Sequence, residues 1–190
     1  MTHYNFAEPG WRKDFLPGHS QRWPGKKELY QLEDSVSNYR PEQDGFEDYI
    51  SAMTTKKYAN GVKLTCRCMF ESFGAPIILL TEGYTDDGDG SVTYGPHYEI
   101  CVYENGCNVW YIVPFDDVPH RTKPYKTAFA QFPLQGGEEI TITAEVKGHF
   151  LHIDVNGNSF VAADPYIPEN FHVGITACEG RNRIYSLTIE

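Results

Sequence analysis

Apolar and polar residues alternate with a period of two through most of the second half of the chain. Ile140, Ile142, Ala144 and Val146 alternate with Thr141, Thr143, Glu145 and Lys147, the pattern of a strand that buries one face. Lys147-Gly148 turns the chain into a second strand, where Leu151, Ile153 and Val155 are set against Phe150, His152 and Asp154. Asn156-Gly157 follows, and because both residues tolerate positive φ it predicts a tight hairpin. A third strand is expected through Phe171, Val173, Ile175 and Ala177. A fourth is expected from Arg183 to Glu190, with Tyr185, Leu187 and Ile189 on one face. Nothing in this half has helical spacing.

The first half carries the same signal less regularly. Val62, Leu64, Cys66, Cys68 and Phe70 alternate with Lys63, Thr65, Arg67 and Met69, so the two cysteines share an apolar face. Pro76 precedes Ile77-Ile78-Leu79-Leu80, a strand apolar on both faces and therefore central. His97 to Tyr103 and Cys107 to Val113 read as a hairpin around Glu104-Asn105-Gly106. One face of its first strand holds Tyr98, Ile100 and Val102; the other holds His97, Glu99, Cys101 and Tyr103. Trp110 and Ile112 oppose Val109, Tyr111 and Val113 on the returning strand. Phe115 to Thr127 reads as a long loop, of the kind that carries function on a rigid scaffold, and Ala128 to Leu134 as a further strand. Phe46 to Ala52 fits a short helix and a strand equally well. Residues 1–48 are broken by Pro9, Gly10, Pro17, Gly18, Pro24 and Gly25; they are expected to add edge strands, one of them in Gly25 to Asp34. The expectation is an all-β, antiparallel sandwich forming one domain over residues 1–190.

Composition narrows the partners. Asp plus Glu outnumber Lys plus Arg by 26 to 16, a formal charge of -10, which disfavours nucleic acid and anionic membranes but not a neutral sugar. No apolar run is long enough to span a bilayer. Met1 to Asn5 lacks a basic segment leading into an apolar run, which predicts a cytoplasmic protein, or a secreted one if a leader has been removed. The five cysteines leave at least one thiol free and suit a buried, reduced role.

Leu151-His152-Ile153-Asp154-Val155-Asn156-Gly157, then Phe171-His172-Val173-Gly174-Ile175, Glu179-Gly180 and the closing Arg183 to Ile189, resemble the concanavalin A-like lectin and glucanase superfamily. The style is similar to its laminarinase-like and keto-disaccharide hydrolase-related domains. The resemblance implies a concanavalin A-like jelly roll with adjacent terminal strands and an oligosaccharide or glycoside bound on a concave face. Glucanase-like members carry a Glu-x-Asp-x-x-Glu strand on that face; this chain has none.

Lectin-like carbohydrate binding is therefore the leading expectation. Aromatic rings stack on the C–H face of a pyranose while polar neighbours hold its hydroxyls. Trp110, Tyr98, Tyr103, Trp23 and Tyr125, with His97 and His152, are the candidates for that platform. A glycoside hydrolase is the alternative, with a carboxylate pair drawn from Glu99, Glu145 and Asp154; such pairs stand roughly 5–9.5 Å apart. A structural subunit of a sugar-processing complex, as a homo-oligomer or with an enzyme partner, is the third. No organic cofactor is expected. Asp86, Asp87 and Asp89 offer hard oxygen ligands suited to a structural calcium ion, although the loop lacks the terminal glutamate of a full calcium loop. No phosphate loop, dinucleotide fingerprint or nucleophile elbow is present.

Overall fold

The computed structural model describes residues 1–190 and builds them almost entirely from strands. In chain order these are β1 (Thr2–Asn5), β2 (Phe15–His19), β3 (Tyr30–Gln31), β4 (Val36–Ser37), β5 (Tyr49–Ala59), β6 (Lys63–Thr81), β7 (Tyr84–Asp86), β8 (Val92–Tyr94), β9 (His97–Tyr103), β10 (Gly106–Pro114), β11 (Thr122–Gln131), β12 (Ile140–Lys147), β13 (Phe150–Val155), β14 (Asn158–Ala163) and β15 (Asn170–Ile189). One short 3-10 turn, Pro9–Asp14, separates β1 from β2.

β6 and β15, of 19 and 20 residues, serve two layers at once. They pair with each other along most of their length, and their register slips between Cys178 and Asn182. On one side of that irregularity, Ala75–Thr81 and His172–Cys178 lie at the centre of a front sheet ordered β11-β10-β9-β6-β15-β5-β2-β8-β7. On the other side, Leu64–Cys68 and Ile184–Ile189 are central to a back sheet. There β12, β13 and β14 extend it one way, and β1 and β4 pair with β15 the other way.

The predicted alternation is what closes the sandwich. Ile78, Leu80, Ile100 and Val109 from the front sheet and Leu64, Ile142, Leu151 and Ile184 from the back sheet join one core of 36 buried residues. Cys66 and Cys68 lie in the same core. Asn156 and Gly157 adopt φ values of 49° and 87°, and the predicted hairpin between β13 and β14 forms across them.

Several boundaries differ from the sequence expectation. The strands expected at 62–70 and 77–80 are one strand, β6, and the third and fourth strands of the second half are one strand, β15. A period-2 pattern registers burial, and it breaks wherever a long strand passes from one layer to the other. The register slips between Ile184 and Ser186, so Ile184, Leu187 and Ile189 are buried while Tyr185 is not. The expected loop at Phe115 to Thr127 ends before β11, which places Lys123 and Tyr125 on a strand. Tyr49 to Ala52 is strand, not helix. Residues 1–48 do more than trim an edge: Phe6, Trp11, Phe15, Leu29 and Val36 enter the main core, where Phe6, Trp11 and Phe15 meet edge to face. One pairing, β2 with β8, is parallel; the others are antiparallel.

The bend is built from small and polar residues. Gly180 has a φ of 62°, and a Cβ there would collide with the Phe73 carbonyl. Asn38 Nδ2 donates to the carbonyls of Glu47 and Gly180 at 2.7 and 2.8 Å. The Asn182 amide donates back to Asn38 Oδ1 at 2.9 Å. Gly180→Ala is expected to lower the unfolding free energy by about 1–3 kcal/mol. Gly61→Ala should cost less, because a Cβ at Gly61 meets nothing although its φ of 108° is also positive. Urea unfolding midpoints of the two variants check this ordering.

Candidate functional site

Directly paired residues of neighbouring strands project from the same face, so the register lays out the outer surface of the front sheet in rows. One row runs Trp110, Glu99, Leu79, Gly174, Met53. The next runs Asn108, Cys101, Ile77, Thr176, Ser51, and beyond it lie Ala75, Cys178 and Tyr49. The far edge of the sheet curls over this surface. Val92 and Tyr94 of β8 pack on Met53 and Leu79, and the Tyr94 and Ser51 hydroxyls hydrogen-bond at 2.7 Å.

The part left uncovered is a groove of about 420 Å³. Its floor holds Ile77, Cys101, Glu99 and Asn108, and Trp23, Trp110 and Tyr103 stand among its lining. The bend contributes Phe73, Gly74, Cys178 and Glu179. Trp23 comes from the loop after β2, where its amide donates to the Ser20 carbonyl at 2.9 Å. Its indole stacks on Tyr49 with ring centres 6.3 Å apart and planes 8° from parallel. Trp110 is steadied from outside by Lys126, whose ammonium lies 4.8 Å from the ring centre.

Glu99 sits between these aromatics. The Tyr49 hydroxyl donates to its Oε1 at 2.9 Å, and Trp110 is its direct cross-strand neighbour. His97, fully covered, approaches the same oxygen at 3.6 Å through Nε2. Its Nδ1 is 2.7 Å from the Gly95 carbonyl, which can only accept, so Nδ1 carries the proton. At 3.6 Å from the carboxylate oxygen, Nε2 has no hydrogen-bond partner. Asn108 Oδ1 is likewise buried without one. Buried polar atoms are ordinarily paired, so one orphan in a lining residue, Asn108, and another behind Glu99 set this region apart.

The structure brings together only some of the candidate residues. Glu99, Trp110, Tyr103 and Trp23 share the groove, and His97 lies against Glu99. Tyr98 does not join them. It faces the core, 1% exposed, and stacks on Tyr111, which stacks in turn on Tyr125 and Tyr166; Tyr125 thus belongs to the opposite face of the front sheet from Trp110. Glu145, His152 and Asp154 are on the outer face of the back sheet, with Glu145 directly opposite His152 and bonded to Lys147 at 2.8 Å. The whole core separates them from Glu99, so neither Glu145 nor Asp154 can act with it across one glycosidic bond. The reason is strand parity: both sheets point one residue in two outward, in opposite directions.

Asp86, Asp87 and Asp89 do not converge either. Asp87 receives Thr93 and Ser91 hydroxyls and meets His19 Nε2 at 3.0 Å. Asp89 receives the Ser91 hydroxyl and amide, and Asp86 the Gly88 amide. Both oxygens of Asp87 and one each of Asp86 and Asp89 hold the loop, and nowhere do three His, Cys, Asp or Glu side chains gather as a metal site. Sequence reasoning missed Tyr49, Asn108, Arg22, Cys178 and Glu179. Tyr49 lay in the stretch that fitted helix and strand equally; in the strand, its place two residues before the core-breaking Ser51 would have pointed to the outer face.

No family model matches the chain, and no curated protein matches it. Solved structures do. A protein of unknown function with a galectin-like fold from Bacillus subtilis superposes with a TM-score of 0.69 at 10% identity, covering 100% of this chain and 94% of that one. β-Agarase B from Zobellia galactanivorans gives 0.66 at 8% identity over 98% and 90%. A carbohydrate-binding module from Bacillus subtilis gives 0.63 at 8% identity over 86% and 91%. The chain has the concanavalin A-like β-sandwich fold.

Burial, reinforced by the Glu99 charge, pushes the Tyr49 phenol well above its ordinary value of 10.0. Burial also raises Tyr94, against the opposing hydrogen bond from Ser51. Burial raises the groove thiols Cys101 and Cys178, with Glu99 adding to both, and pushes the core thiol Cys107 up to about 12. Above about pH 10 the unfolded chain releases phenolic protons that Tyr49 and Tyr94 retain when folded. Their contribution to stability is therefore fully present below that pH and is lost as pH rises further. Urea unfolding followed from about pH 8 to 11 should show this decline, and Tyr49→Phe should make it shallower.

Proposed function

We propose that the groove binds an oligosaccharide. The observation that carries this reading is an aromatic-walled cleft on the outer face of the front sheet, with the Glu99 carboxylate and the Asn108 amide at its floor. Trp110 and the Trp23–Tyr49 stack offer flat apolar surfaces for pyranose rings. Glu99 offers an acceptor for hydroxyls and the Asn108 amide a second polar group, a division of labour common in ligand sites. Among the superposing structures, one is a carbohydrate-binding module and another is an inactivated β-agarase B in complex with agaro-octaose; they support the reading by analogy of fold.

Hydrolysis is a second reading, favoured by one feature: Glu104 and Glu179 line the same groove as Glu99. An acid–base pair would come from these three and not from the back sheet.

Glycan binding followed by calorimetry tests the first reading. Trp110→Ala is expected to weaken affinity about tenfold or more, as loss of a central aromatic anchor does, while Phe150→Ala on an exposed site outside the groove leaves it unchanged. Failure of every oligosaccharide class to bind would overturn the assignment. Release of reducing ends by the wild type, abolished in Glu99→Gln, would move it to the hydrolase.

A further inference from the structure

We infer that the groove selects a glycan bearing a free amine, with its ammonium seated on Glu99; this rests on the carbohydrate reading. The Glu99 carboxylate is only 13% exposed, and a buried charge is costly unless something opposite balances it. No lysine or arginine nitrogen lies within 4.0 Å, and the sole titratable base at that range is His97. Its Nε2 stands 3.6 Å from the carboxylate oxygen and makes no hydrogen bond. Tyr49 supplies one neutral hydrogen bond.

The remaining groups around the carboxylate add no counter-charge. Tyr49, Tyr94, Cys101 and Cys178 all face it, and their protons are held more tightly because of its charge or their burial. Two further carboxylates, Glu104 and Glu179, line the groove against one cation, Arg22. Arg22 is directed to Trp23, with its guanidinium carbon 5.2 Å from the ring centre. Lys126, the nearest lysine to Trp110, is stacked on that ring.

Floor chemistry gives the same sign. Glu99 is an acceptor in the groove lining, so a ligand group seated on it has to donate. A hydroxylated sugar donates; an amino sugar donates and also neutralises. An aromatic ring beside a carboxylate, here Trp110 directly across from Glu99, suits an ammonium as well as a pyranose ring. A uronate or a sulfated sugar would bring an anion to an acidic floor.

The test starts with a glycan array that carries free-amine, N-acetylated, neutral and uronate oligosaccharides in several linkages. Calorimetry then follows on matched hexamers near pH 6 in low salt. The free-amine hexamer is expected to bind about tenfold or more tighter than its N-acetylated twin, the range of a charge-assisted hydrogen bond. That preference should shrink as salt is raised on the wild-type protein. It should vanish in Glu99→Gln, which keeps the side-chain shape, while Trp110→Ala weakens both hexamers alike. A uronate binding as tightly as the amine, or a preference that survives in Glu99→Gln, would overturn the inference and leave sugar binding intact. Binding by no glycan of any class would overturn the carbohydrate reading with it. Competition by spermidine as strong as by the amine hexamer would overturn the amino-sugar assignment in favour of a non-sugar cation.

Discussion

Two strands shared by two sheets hold this structure together. β6 and β15 pair with each other on both sides of a common bend, so neither sheet is complete without the other's central strands. A long strand pair can turn from one layer into the next only where side chains leave room and where backbone groups freed by the register slips find other partners. Gly74 and Gly180 supply the room: a Cβ on either would collide with Asn182 or with the Phe73 carbonyl. Asn38 and Asn182 supply the partners, bonding to carbonyls and amides around Gly180. The alternating apolar rows then need only face each other to exclude water, and burial of that surface is the main favourable contribution to folding.

The same bend sets one end of the groove. Phe73, Gly74, Cys178 and Glu179 line it because the strands leave the front sheet there. The opposite wall exists because β2, β8 and β7 curl over their own sheet and cover Met53 and Leu79. What remains open between bend and curl is the cleft around Glu99. The site is thus a by-product of closing the sandwich, furnished with residues from β5, β9, β10 and the loop after β2. Its aromatic and acceptor groups face outward by strand parity, and they cost the core nothing.

Much of the fold was readable in the residues. Alternation located β9, β10, β12 and β13, and Asn156-Gly157 located a hairpin turn, because period-2 burial and positive φ are local properties of a few consecutive residues. Continuity of β6 and β15 was not readable, since a bulge shifts which parity is buried and looks like a strand end. The N-terminal 48 residues were underestimated for a related reason. Phe6, Trp11 and Phe15 are held by each other and by distant strands, with little regular structure of their own to leave a periodic trace.

The candidate site divides along the same line. The sequence by itself determined that Glu99, Cys101 and Tyr103 share a face with one another and that Trp110 lies on the strand beside them. Side-chain direction follows from strand parity within a single hairpin. Only the tertiary structure decided which face looks outward, that Glu145 and Asp154 lie across the core from Glu99, and that Tyr98 is interior. It alone brought Trp23 and Tyr49 to Glu99 from 76 and 50 positions away. Parity along a strand is local, but the side of the sandwich a strand occupies depends on how strands far apart in the chain are paired.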